Sequence, residues 1–163
     1  MAVIEVERLT RKYGTLVALN NITMSISEGE VFGLLGPNGA GKTTMVNILA
    51  TQLTPTSGTA SVCGFDCVAH ARMVRSLVGV APANTRSLYW RLTGEENLLH
   101  YADLYGLSAS RAKARVRECL ELLGLSEVGK RLVSTYSHGM RARLLLARAL
   151  IHRPRVLLLD EPW

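Results

Sequence analysis

The sequence is poor in the features that mark secreted, membrane-spanning and nucleic-acid-binding proteins. Its 163 residues include three cysteines, and an odd number argues against a disulfide framework. Aromatic residues make up 6%, and the arginines form no dense block with interleaved aromatics, so the net charge of +6 indicates a solvated surface. The most apolar helical stretch, 144–151, is interrupted by Arg148 and is far shorter than a membrane span.

The cysteines and the opening residues favour a cytosolic protein. Cys63 and Cys67 are too widely spaced for a zinc knuckle, and no second pair accompanies them, so with Cys119 they are interpreted as reduced thiols. Residues 2–6 alternate like a strand, and we therefore expect no signal peptide. No internal repeat or low-complexity segment is visible, and the length suits one compact domain.

Residues 36–44 fit the pattern G-x-x-x-x-G-K-[ST] of a phosphate-binding loop. The apolar run 31–35 before the loop predicts a strand, and apolar residues after it recur at helical spacing, which makes a chance glycine turn the weaker interpretation. Glycines let backbone N–H groups line an anion nest, and the helix start adds its positive dipole end. Lys42 can reach the β- and γ-phosphates, and the Thr43 hydroxyl can hold Mg²⁺. The candidate nucleotide ligands are Gly36, Pro37, Asn38, Gly39, Ala40, Gly41, Lys42, Thr43 and Thr44.

A second signal lies at the end of the chain, where the apolar run 156–159 leads into Asp160 and Glu161. An Asp at the end of a parallel strand can hold Mg²⁺ beside a phosphate loop. The neighbouring Glu can orient or deprotonate an attacking water. A strand that simply meets a polar loop is the alternative, and the upstream phosphate loop favours the functional interpretation.

The remaining patterns predict alternating strands and helices. Thr93 with Glu96 fits a capping box, and Ser137 is expected to cap a long helix that ends before Pro154. The charged residues 111–121 are expected to form a solvated helix face. Further strands are predicted near 3–9, 22–26, 59–63 and 77–81, and further helices near 72–76, 93–104 and 108–123.

With these motifs, the whole chain resembles the nucleotide-binding subunit of an ATP-binding cassette (ABC) transporter. Tyr13 occupies the place of an aromatic residue that stacks on adenine, although it could merely cover the sheet edge. Segment 136–141, followed by 144–150, resembles the family's signature segment, and 156–162 resembles its second nucleotide motif. The residues Tyr-Ser-x-Gly-Met at 136–140 look most like subunits that energise exporters of drugs, lipids or polysaccharides.

The resemblance implies an α/β fold of the P-loop NTPase type over residues 1–163. Its core would be a mostly parallel sheet, with an N-terminal antiparallel β part and a helical insert at about 84–136. ATP and Mg²⁺ would be the cofactors, and Lys42 and Glu161 the catalytic residues. Thr43 and Asp160 would be the metal ligands.

The resemblance also implies partners. Ser137 and Gly139 would face the nucleotide of a second ABC domain, so that two domains sandwich ATP; a plain helix cap is the alternative role for Ser137. A transmembrane permease subunit would hold the protein, otherwise cytoplasmic, on the inner face of the cell membrane. No nucleic acid is expected.

Several positions depart from the family pattern. Ala83 and Asn84 stand where the family places Gln, His138 where Gly is common, and Trp163 where Thr is usual. The family's later Asp-bearing loop, its switch histidine and its two terminal strands do not occur, so the fold is expected to be incomplete at the C-terminus. A truncated nucleotide-binding fragment without turnover is therefore one alternative. A soluble, non-transport ABC ATPase is the other, but no tandem domain or coiled-coil insertion is visible.

Overall fold

The computed structural model describes residues 2–82 and 85–160, the side chain of Thr85 excepted. It divides into two compact units, Met1–Val78 and Gly79–Trp163, and each is described by itself. The predictions made for Ala83, Asn84, Glu161, Pro162 and Trp163 fall outside the described residues.

The first unit is built on a four-stranded antiparallel sheet in the order β2-β1-β3-β4. The helix α1 packs against β2 and β3. Alternate residues of β1, including Ile4 and Val6, are buried because one face of the strand covers the core. The elements are β1 (Ala2–Tyr13), β2 (Leu16–Ser27), α1 (Lys42–Leu49), β3 (Ser57–Val62), β4 (Phe65–Asp66) and α2 (Ala71–Leu77).

Two predictions for the first unit need correction. Strands β1 and β2 are longer than their sequence patterns and meet at a tight turn at Gly14 and Thr15. The run 31–35, predicted as the strand before the phosphate loop, belongs to no helix or strand, and Val31 and Leu35 are 100% and 96% exposed. A strand is stable only with a neighbour that accepts and donates its backbone hydrogen bonds, and no described strand pairs with this run.

The second unit combines a small sheet with three helices. Strands β5 and β6 are hydrogen-bonded neighbours, and the helices bury one continuous apolar cluster that includes Leu98, Leu144 and Ile151. Asn97 is fully buried within this unit, and its amide bonds the backbone of Tyr89 and Thr93. The elements are β5 (Val78–Ala81), α3 (Gly94–Leu104), α4 (Ala109–Leu122), α5 (His138–Leu150) and β6 (Val156–Leu159), with short 3-10 turns at Thr85–Ser87, Ser126–Val128 and Val133–Thr135.

The helix limits follow the predicted caps. The side chain of Thr93 accepts a hydrogen bond from the Glu96 N–H at 3.1 Å, and the Glu96 carboxylate accepts one from the Thr93 N–H at 2.8 Å, which completes the predicted capping box of α3. Hydrogen bonding of the Glu96 carboxylate to the backbone N–H of Thr93, and secondly to the Thr93 side chain, lowers the pKa of Glu96. Gly124 follows the end of α4 with φ +63°, the conformation that favours glycine after a helix.

The charged face of α4 is only partly solvated, which corrects the prediction for residues 111–121. The Arg115 side chain is 11% exposed and donates to the carbonyl oxygens of Ile151 at 3.2 Å and Leu150 at 2.5 Å. It also forms an ion pair with Glu118 at 2.8 Å. Arg115 therefore satisfies the last carbonyl groups of α5, which would otherwise lack partners at the helix end.

The α/β class predicted from the sequence is confirmed, and the predicted N-terminal antiparallel part is the sheet of the first unit. The helical insert at about 84–136 stays a prediction, although α3 and α4 lie within that range. Within the part of the chain that the structure describes, no helix is both long enough and apolar enough to cross a bilayer.

Candidate functional site

In the first unit, the phosphate loop forms a turn that folds around the Lys42 side chain. The Lys42 Nζ donates to the carbonyl oxygens of Gly36 at 2.7 Å and Pro37 at 2.9 Å. The Ala40 N–H closes the turn on the Pro37 carbonyl at 3.1 Å. A lysine ammonium has three N–H donors, and these two bonds leave one for an anionic ligand. The loop thus holds a positive charge at its centre.

The helix α1 begins directly after this loop and has no side-chain cap from its N-cap residue. That residue is Gly41, which has no side chain that could cap the first turn, and the first turn contains no acidic residue. The N–H groups at a helix start carry the positive end of the helix dipole and attract anions. Lys42, Thr43 and Thr44 form this first turn, as the sequence predicts.

Two glycines in the loop are required by its geometry. Gly39 and Gly41 have φ of +84° and +86°, which residues with a side chain rarely adopt. A Cβ atom on Gly41 would also overlap the carbonyl oxygen of Ala18 and lie 2.8 Å from the Leu19 side chain. Strand β2 therefore lies directly against the start of α1, and only glycine permits that approach.

Tyr13 lies at the end of the hairpin that reaches this loop. It is 45% exposed and pairs with Leu16 across the turn between β1 and β2. Ala18, which contacts the position of Gly41, follows Leu16 by two residues. The hairpin therefore brings an exposed aromatic ring to the same end of the first unit as the phosphate loop.

The second unit carries the signature residues at the start of α5. The Ser137 hydroxyl oxygen accepts a hydrogen bond from the Met140 N–H at 3.2 Å, which confirms the predicted cap. Ser137, His138 and Gly139 are exposed. A Cβ atom on Gly139 would meet nothing within 4 Å, and its φ is not positive. Its own unit therefore places no steric demand for glycine there.

The segment before Ser137 is fixed by contacts that sequence patterns did not reveal. Tyr136 is 3% exposed and donates through its hydroxyl to the Val128 carbonyl at 2.7 Å. A Cβ atom on Gly94 would overlap that hydroxyl oxygen. Burial raises the pKa of Tyr136, so the phenol stays protonated and keeps donating. A glycine inside a capping box was the available signal for this close approach.

Asp160 follows β6, as predicted, and its backbone N–H donates to the Ala81 carbonyl at 3.0 Å at the end of β5. Among the described residues, no group of three or more His, Cys, Asp and Glu side chains could hold a metal ion.

The predicted site residues thus fall into two groups. Lys42, Thr43 and Tyr13 belong to the first unit, and Ser137, Gly139 and Asp160 to the second. The first group alone can attract a phosphate chain and offer an aromatic face. Glu161, which is predicted to take part in catalysis, lies outside the described residues, and its role stays a prediction.

A model of the family described as ABC transporter matches residues 19–163. The chain is 45% identical over 155 residues to "Doxorubicin resistance ATP-binding protein DrrA" of Mycobacterium tuberculosis, a match covering 95% of this chain and 46% of that protein. It is 41% identical over 162 residues to "Nod factor export ATP-binding protein I" of Burkholderia orbicola, covering 99% of this chain and 53% of that protein. The chain therefore spans about half the length of these curated relatives.

A solved structure shares the fold with a TM-score of 0.86 and 27% identity over 98% of this chain and 74% of that one. It is a dimeric ATP-binding cassette protein in a post-hydrolysis state, bound to ADP and Pi. The similarity includes both units of the present chain, since the match is nearly complete on its side.

Proposed function

Since this chain belongs to the ABC transporter family, we propose that it binds ATP with Mg²⁺ and supplies the nucleotide-hydrolysing part of an exporter. The observation that carries the proposal is the loop at residues 36–44. It joins left-handed glycines, a lysine ammonium bonded to loop carbonyls, and an uncapped helix start. This combination suits a polyphosphate better than any neutral ligand, because every contributing group is a donor or a positive pole.

Each site residue has a proposed role. The Lys42 ammonium would neutralise charge on the β- and γ-phosphates, and the Thr43 hydroxyl and the Asp160 carboxylate are the side chains that would bind Mg²⁺. Glu161 orients the attacking water, and positioning with charge neutralisation provides most of the rate. Ser137 and Gly139 contact the nucleotide bound by a second ABC domain. The exposure of both residues at the start of α5 supports this outward role.

Export across a membrane is the proposed use of this activity. The names of two relatives refer to doxorubicin resistance and Nod factor export, which supports an exporter as the parent assembly. The partners would be a transmembrane permease and a second ABC domain. The subunit would lie at the inner face of the cell membrane through the permease, and no nucleic acid takes part.

The experiment is titration calorimetry of ATP·Mg²⁺ against the chain and its Lys42→Ala variant. Hydrogen bonds to charged groups contribute about 1.5–3 kcal/mol, so the variant is expected to bind at least about tenfold more weakly. Lys113→Ala is the matched control, because it removes the same charge from an exposed position on α4. Equal affinity of the Lys42 variant and the control would overturn the assignment of the phosphate loop.

A further inference from the structure

The exposed Tyr13 ring has one face occupied by a charged side chain. The guanidinium carbon of Arg11 lies 4.6 Å from the centroid of the Tyr13 ring, within the range of a cation–π interaction. Residues two apart in a strand point to the same face, which brings the two side chains together at the end of β1. The ring is therefore held on one side, while Tyr13 remains 45% exposed.

The guanidinium is itself anchored to the segment that follows the phosphate-loop helix. Arg11 donates from Nη1 to the Thr54 carbonyl oxygen at 2.9 Å, and its Nε is buried. The same segment is joined to β1 twice more, because the Thr56 N–H donates to the Thr10 carbonyl and the Thr56 hydroxyl oxygen accepts from the Lys12 N–H. Arg11 is thus fixed from both ends, by the strand and by this segment.

The backbone register places this pair beside the loop. Arg11 pairs with Leu19 on β2, and the Leu19 side chain lies against the position of Gly41 at the start of α1. Tyr13 follows Arg11 on the same strand face. Both the ring and its support are consequently connected to the phosphate loop by one hairpin and one helix of the first unit.

We propose that Arg11 is a positioning residue for nucleotide recognition, holding the Tyr13 ring so that its other face can stack on the base of a nucleoside triphosphate. The inference rests on the proposed function, in which the loop binds the triphosphate. An exposed tyrosine loses rotamer freedom when it stacks, and a side chain that already restricts the ring reduces this cost. The positive charge on the far face also withdraws electron density from the ring, which favours stacking on an electron-rich purine.

The test compares the binding of ATP·Mg²⁺ with that of tripolyphosphate·Mg²⁺, which has no base. Six variants are measured by calorimetry: Arg11→Gln, Arg11→Lys, Tyr13→Ala, the double variant of Arg11→Gln with Tyr13→Ala, Lys12→Gln, and Lys42→Ala. Gln at position 11 can still donate to the Thr54 carbonyl but has no charge. Lys12→Gln is the matched control, because it removes one positive charge from the adjacent exposed position.

The expected result is a selective loss of base recognition. Tyr13→Ala should weaken ATP by at least about fivefold, in the range of a stacked base. Arg11→Gln should weaken ATP by about two- to fivefold. Neither change should alter tripolyphosphate affinity, and Arg11→Gln should have no further effect in the Tyr13→Ala background. Arg11→Lys, which restores the charge, should recover part of the loss, and Lys12→Gln should match the unmodified chain.

Three outcomes overturn the inference in distinguishable ways. If Tyr13→Ala weakens ATP but Arg11→Gln does not, Arg11 has no positioning role and the proposed function stands. If Arg11→Gln weakens ATP and tripolyphosphate equally, Arg11 supports the first unit in general. If Tyr13→Ala leaves the ratio of the ATP and tripolyphosphate affinities unchanged, the base does not stack on Tyr13. The phosphate-loop assignment is tested separately, by whether Lys42→Ala loses tripolyphosphate binding.

Discussion

Two helices begin at segments assigned to nucleotide contact, and their N-termini differ. Helix α1 has Gly41 as its N-cap residue, which has no side chain to accept from the first N–H groups. Helix α5 begins at Ser137, whose hydroxyl oxygen already accepts from the Met140 N–H. An uncapped start leaves backbone donors for a ligand, whereas a capped start satisfies one of them within the chain. The first is therefore the better anion site, and the second depends more on its side chain.

The glycines in these two segments differ in whether their own unit requires glycine. Gly41 has φ +86° and no room for a Cβ beside Ala18, so the first unit itself demands glycine. Gly139 has neither constraint. If glycine is needed at position 139, the reason lies outside its own unit, which fits a surface that meets another molecule. Three substitutions test this contrast, in order of decreasing effect.

Gly41→Ala should have the largest effect. A left-handed conformation costs a residue with a side chain about 1–2 kcal/mol, and overlap with a backbone oxygen costs about 1–3 kcal/mol more. The free energy of unfolding should therefore fall by about 2–5 kcal/mol, with loss of ATP binding. Urea denaturation followed by circular dichroism measures the first, and calorimetry the second.

Gly64→Ala is the matched control for that variant. Gly64 also has a positive φ, +80°, in the first unit, but a Cβ there would meet nothing within 4 Å. It should lose only the conformational part, about 1–2 kcal/mol. Equal losses for the two alanines would show that the contact between β2 and the start of α1 does not matter.

Ser137→Ala should have a smaller effect, because it removes one cap. Loss of a serine cap lowers stability by about 0.5–2 kcal/mol. Thr93→Ala, at the start of α3, is the comparison. It should lower the free energy of unfolding at least as much, because the second hydrogen bond of the capping box, from the Thr93 N–H to the Glu96 carboxylate, should weaken as well. Urea denaturation of both variants checks the order, and an unchanged midpoint for Ser137→Ala would contradict the observed cap.

Gly139→Ala should have the smallest effect on the isolated chain. Alanine favours helix over glycine by up to about 1 kcal/mol, and the position has open space, so stability should stay the same or rise slightly. Any functional loss should appear only when two ABC domains assemble around ATP, as measured by size-exclusion chromatography with nucleotide. A clear loss of stability would show instead that Gly139 is needed by its own unit.

Local signals in the sequence predicted the features that depend on neighbouring residues. The caps at Thr93 and Ser137 follow from hydrogen bonds within a few positions, so a short window contains their cause. The phosphate loop was predicted for the same reason, since its motif is contiguous. The roles of its residues in ATP binding stay predictions.

The predictions that were wrong, and the contacts that were not predicted, involve residues far apart in the sequence. The run 31–35 is apolar enough for a strand, but a strand needs a neighbour that the pattern cannot supply. Arg115 was assigned to a solvated face because the carbonyl groups of α5 that it bonds come 35 or more residues later. The pair of Arg11 and Tyr13 could have been found, since the two residues share a strand face.

The missing side chain at Gly94 has a consequence for where the signature segment lies. The Tyr136 hydroxyl occupies the space that a single methyl group on residue 94 would fill, and Ser137 is the next residue along the chain. Glycine, the smallest residue, at the first position of α3 therefore lets the Tyr136 ring lie close to the α3 backbone. An added carbon there would displace the ring outward and carry the serine hydroxyl with it, changing the location of the cap without touching any residue of the signature itself.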